Sequence, residues 1–112
     1  MKNRTRPMIL SDKNFDHHVL ENPKPGVVHF RANWSGSSDI VAAILDDLAH
    51  DFQSKVAFGA VDIDENALLA KKLGVGAVPT LLFFKNGGVV DSIKGVISKD
   101  ELAGKIETLC AN

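Results

Sequence analysis

A helical run held between two short apolar runs decides the class of fold open to this chain. From Ser38 to Phe52, the residues Ile40, Val41, Ile44, Leu45 and Leu48 recur at helical spacing. Val27-Val28-His29-Phe30 stands before that run, an apolar stretch with a single polar interruption, and Val56 to Val61 follows it. Both flanks have the length of buried strands. A strand–helix–strand unit joins parallel strands by a right-handed crossover. Asp39 lies in the first turn of the helix, where a negative charge suits the helix dipole.

The second half has a different grammar. Thr80 to Phe84 and Val89 to Ile93 are apolar runs joined by Asn86-Gly87-Gly88, a strong hairpin signal. Between the halves, Asp62 to Asn66 leaves a strand. Asn66 or Asp64 is expected to cap a helix over 67–73, which Gly74 ends. Ser98 with Glu101 three residues on reads as a capping box opening the last helix. Near the start, Ser11 is placed to cap a helix over 12–20 with Phe15 and Val19 inward. Turn chemistry follows at 22–26, and an edge strand near Met8 fits the pattern. The whole predicts an α/β fold, with a mixed central β-sheet flanked by helices on both faces.

The chain has 112 residues, 45% of them hydrophobic, enough for one domain with its own core. Residues 1–7, with Lys2, Arg4 and Arg6, read as a loose arm before a domain over 8–112. The formal net charge is -1 with both signs interspersed, which argues against charge-driven binding to nucleic acid or membrane. After the basic residues the apolar run is only Met8-Ile9-Leu10, whereas a secretory signal needs at least ~7 apolar residues. A soluble, cytoplasmic protein is expected, and nothing requires more than a monomer. The single cysteine, Cys110, rules out an intrachain disulfide and reads as a small hydrophobe on the last helix.

With these elements in order, the sequence resembles the thioredoxin family from about Leu10 to Cys110. Phe30, Ala32, Trp34 and Gly36 stand where the family's F-x-A-x-W-C-G-P-C stretch would put them. Asp62-Ile63-Asp64 and Gly74-Val75 match its next segments. Val78-Pro79-Thr80 through Gly87 matches its I-P-T stretch, and Gly95 its late glycine. The resemblance implies a thioredoxin-like fold and a cis peptide at Val78-Pro79.

It also exposes what this chain lacks. The two redox cysteines of the motif stand here as Ser35 and Ser38, in Ser35-Gly36-Ser37-Ser38. Dithiol exchange needs a low-pKa thiolate to attack a disulfide and a second thiol to resolve the adduct. Serine supplies neither. The family's buried carboxylate is His29 here, its nearby lysine is Ala60, and a position often basic is Asp39, whose anion would disfavour a thiolate. Ala43 replaces the proline that kinks the long helix, so a straighter helix is expected.

The peptide groove that the resemblance implies is kept. Trp34 and Gly36 form one side; Val75, Gly76, Val78, Pro79, Gly95 and Val96 form the other. The blander reading is that Pro79 and Gly95 persist because the fold needs them. Two functions stay open. One is a redox-inactive protein that binds polypeptide clients or a protein partner through this groove, as chaperone, adaptor or assembly factor. The other is an active thioredoxin, a protein-disulfide reductase, with its two cysteines changed to serine; Cys codons at 35 and 38 in the native gene would establish it. A structural subunit without a client is a third.

Other chemistry is weaker. His29 and Ser38 lack a third group to orient the imidazole, so His29 reads as a core histidine bonded to a hydroxyl. His17, His18 and His50 read as surface residues without metal spacing. Asp62, Asp64 and Glu65 read as a strand end and helix cap, and Lys71, Lys72 and Lys85 as solvated charges. No metal or cofactor is expected.

Overall fold

Alternation along the two central strands sets the layers. The computed structural model describes residues 6–111. Its strands are β1 (Met8–Leu10), β2 (Gly26–Arg31), β3 (Ala57–Asp62), β4 (Thr80–Lys85) and β5 (Gly88–Lys94), and its helices are α1 (Gly36–Asp51), α2 (Ala67–Lys72) and α3 (Lys99–Cys110). They form one sheet of order β1-β3-β2-β4-β5. β1 and β2 run parallel to β3, β4 runs antiparallel to β2, and β5 antiparallel to β4.

Val27, Phe58, Leu81 and Phe83 point to one face, where Val41, Leu45 and Leu48 of α1 and Leu102 and Ile106 of α3 cover them. Val28, Phe30, Val61, Leu82 and Phe84 point to the other, where Leu10, Phe15, Val19 and Leu69 close over them. Both faces are covered, as a sheet with a buried parallel part requires. Phe15 meets Phe84 edge to face, ring centroids 5.7 Å apart. Gly59 lets β1 approach, because a Cβ there would run into the Leu10 side chain.

The hairpin is the two-residue turn that Asn-Gly favours. Asn86 has φ 55° and Gly87 φ 81°, the pair of positive angles that matches the twist of the flanking strands. Ser98 caps α3 by accepting the Glu101 N–H at 3.2 Å. Its hydroxyl also lies 3.1 Å from the Glu101 carboxylate, to which it donates.

Several expectations are corrected. The first helix spans only Asp16–Leu20, a single wide π-type turn. Before it, Ser11 Oγ accepts the Lys13 N–H and Asn14 Oδ1 accepts the Ser11 N–H, a reciprocal pair of capping bonds as expected of Ser11, but residues 12–14 form a turn and not helix. Asn66 precedes α2 without capping it through its side chain. Its amide donates to the Asp62 carbonyl at 3.0 Å instead. His18 is half-buried, with Nε2 donating to the Phe58 carbonyl at 3.1 Å. Lys85 is not simply solvated, since its ammonium donates to the Leu109 carbonyl at 3.1 Å near the end of α3. Ile40 lies on the outer face of α1, 53% exposed. Cys110 is half-buried against the α1/α3 core. Residues 1–5 of the expected arm lie outside the described residues.

Candidate functional site

Strand register brings three loops to one end of the sheet. Phe30 pairs with Thr80, and Thr80 pairs with Lys94. The loop after β2, which holds Trp34, therefore lies beside the loop before β4, which holds Val78-Pro79, and the turn after β5, which holds Gly95.

The Ser35–Ser38 turn is built as a helix start. Helix α1 begins at Gly36, two residues before the sequence pattern places it, because Ser35 takes the N-cap. Its Oγ accepts the Ser38 N–H at 3.1 Å. A serine three residues ahead of a helical run was a legible cap signal. Ser38 is fully buried, and its Oγ accepts the Ala32 N–H at 3.4 Å. Helix α1 then runs unbroken through Ala43 to Asp51.

Asp39 does not stand as a free anion beside this turn. Its carboxylate takes a 2.8 Å hydrogen bond from the Arg31 guanidinium. The pairing, eight residues apart, has no sequence signature. It sets a positive charge against the Asp39 carboxylate, which opposes the expected penalty of Asp39 on a thiolate at position 35.

His29 is 1% exposed and faces the α1 side of the sheet, between Ala60 on β3 and Leu81 on β4. The expected bond to a hydroxyl is absent, and Nε2 has no partner among the described residues. Burial, and then the nearby Arg31 charge, pulls its pKa down to about 4, so the ring is neutral at pH 7. A serine–histidine nucleophilic pair is not formed.

Trp34 is 70% exposed, but it is held. Its indole N–H donates to Asp64 at 2.9 Å, and Asp62 in turn accepts the Asp64 N–H at 2.9 Å. The expected reading of these acids as a strand end is right, and Asp64 has the further task of fixing the indole.

On the other side, the Val78-Pro79 peptide is cis, as the resemblance implies, and Pro79 is buried. Thr80 Oγ1 donates to the Ala77 carbonyl at 2.7 Å, and Gly95 N–H donates to the Pro79 carbonyl at 2.9 Å. Gly95 has φ 89°, which a side chain would strain. The backbone of Val78 makes no hydrogen bond among the described residues. At Gly36 and Gly76 an added Cβ would meet nothing within 4 Å, so both border open space. Val75 and Val78 are half-buried, while Val96 is exposed. Among the described residues no cluster of His, Cys, Asp and Glu could hold a metal ion, and no helix is long and apolar enough to cross a membrane.

This fold, with a tryptophan loop facing a cis-proline loop across a helix N-terminus, defines a thioredoxin-like protein. The thioredoxin family profile matches residues 6–108. Thioredoxin of Pseudomonas aeruginosa is 36% identical over 98 residues, which cover 88% of this chain and 91% of that protein. Thioredoxin of Chlorobaculum thiosulfatiphilum is 34% identical over 97 residues, covering 87% and 90%. Thioredoxin 1 of a Nostoc species is 34% identical over 98 residues, covering 88% and 92%. The chain belongs to the thioredoxin family.

Proposed function

We propose that this chain holds extended polypeptide in the groove between Trp34 and Val78-Pro79 and performs no dithiol exchange of its own. The observation that carries the reading is the unbonded backbone of Val78, which lies in the loop brought beside a fixed, exposed indole. An extended client pairs with such a backbone in the manner of strand addition, and an aromatic face adds contact area. Without a thiol at 35 or 38, the client leaves as it came.

The comparisons favour a second reading over this one. The relatives named above are all called thioredoxin, which favours a chain whose parent is a protein-disulfide reductase and whose two motif cysteines are replaced. The Ser35 cap and the Arg31–Asp39 pair agree with it, since a thiolate at 35 would inherit the Ser38 N–H and an Asp39 already paired with Arg31. Both readings use the same groove.

Capture of an unfolded, cysteine-blocked polypeptide tests the proposal. Trp34→Ala and Val78→Asp are expected to weaken capture about tenfold each, with the far-UV spectrum and unfolding midpoint retained. Equal capture by all three proteins would remove the groove from the function.

A further inference from the structure

A shallow apolar pocket opens off the groove. It has a volume of about 360 Å³ and is lined by Ile63, Ala67, Ala70, Lys71, Val75 and Gly76, among others. Ile63 precedes Asp64, the residue that holds Trp34, and Val75 and Gly76 lead straight into Val78-Pro79. The pocket is therefore continuous with the surface a client would lie on. Ile63, Ala67, Ala70 and Val75 make its lining mainly apolar, so an apolar side chain gains by entering it.

The charges around it are unequal in their freedom. Asp64 is engaged by the Trp34 indole, Asp39 by Arg31, and Asp62 by two backbone N–H groups. Lys71, which lines the pocket, has no hydrogen-bond or ion-pair partner among the described residues. A client that fills the pocket thus meets an uncompensated ammonium at its wall, and a carboxylate beside the apolar residue complements it.

The geometry points to a client class: extended segments in which a bulky aliphatic side chain, seated against Ala67, Ala70 and Val75, is flanked by an acidic residue that pairs with Lys71. This rests on the groove reading and narrows it. Lys71 acts here as a partner-selecting charge; Ala67 and Ala70, the small residues of α2, leave the room.

Short Ser/Thr host peptides carrying one leucine and one glutamate test it, read by Trp34 fluorescence. Replacing the peptide leucine by alanine is expected to weaken binding about tenfold. Replacing its glutamate by lysine is expected to weaken it about threefold. Ala67→Phe, which fills the pocket from an exposed position, should remove the preference for the leucine peptide over the alanine peptide. Lys71→Glu should reverse the preference to the lysine peptide. Peptides that bind at Trp34 with no response to Ala67→Phe or Lys71→Glu overturn the pocket and leave the groove standing. No binding by any peptide overturns both.

Discussion

Lowering the pH from 7 to 4 is expected to cost this protein about 3 kcal/mol of folding stability through His29 alone. In the unfolded chain the imidazole takes up a proton near its ordinary 6.5; in the folded protein burial and Arg31 delay that to about 4. Between these values the unfolded state binds more protons than the native state, so stability falls as pH falls. The loss begins near 6.5 and is complete just below 4. It is large against the ~5–15 kcal/mol typical of a domain. Asp91, whose carboxyl a hydrogen bond from Lys105 holds below its ordinary 3.8, adds a loss of the same sign as the pH falls through the low end of this window and beyond. Urea unfolding midpoints at pH 7 and 4.5, for the parent and His29→Leu, check the expectation. The parent should lose most of the stated stability and the variant should be nearly flat. Equal slopes would mean that His29 finds a partner in the native state. The unpartnered Nε2 is also a destabilising feature at neutral pH, so His29→Leu should be no less stable than the parent there.

The double substitution Ser35→Cys, Ser38→Cys carries the largest expected change in activity. Its two halves should behave differently. A thiol at 35 would receive the Ser38 N–H at the start of a 16-residue helix, beside an Asp39 already paired with Arg31. Its pKa should fall below the ordinary ~8.5, and its alkylation at pH 7 should run about tenfold faster than that of a free cysteine. A thiol at 38 would be fully buried in the layer that His29 faces. That histidine, with its pKa near 4, is a poor acceptor for the second thiol's proton. The resolving step should therefore lag, and a mixed disulfide with a protein substrate should accumulate. Stopped-flow alkylation and quenched turnover separate the steps. Fast attack with equally fast resolution, at a potential near thioredoxin's ~-270 mV, would support the reading of a reductase with replaced cysteines.

Much of the architecture was legible because it rests on periodicity and turn chemistry. The helical run between two apolar runs gave α1 between β2 and β3, and Asn86-Gly87 gave the β4–β5 turn. Trp34 and Pro79 were placed by motif spacing, and register then brought their loops together. What sequence reading missed depends on partners far along the chain. Arg31 reaching Asp39, Asp64 reaching Trp34 and Lys85 reaching the end of α3 leave no local pattern. His29 also departs from its expected contact. Its type and position suggested a hydroxyl partner, yet Ser38 Oγ takes the Ala32 N–H and the imidazole Nε2 has no partner among the described residues.

Backbone amide mapping of the unaltered serine protein tests the groove most directly. The isotope-labelled chain is titrated with an unfolded, cysteine-blocked polypeptide. The expected result is a saturable shift confined to the Trp34 indole and the amides of Gly36, Val75, Gly76, Val78 and Gly95, with no covalent adduct. Shifts that never saturate, or that gather on another face and leave Val78 and Trp34 unmoved, would contradict it.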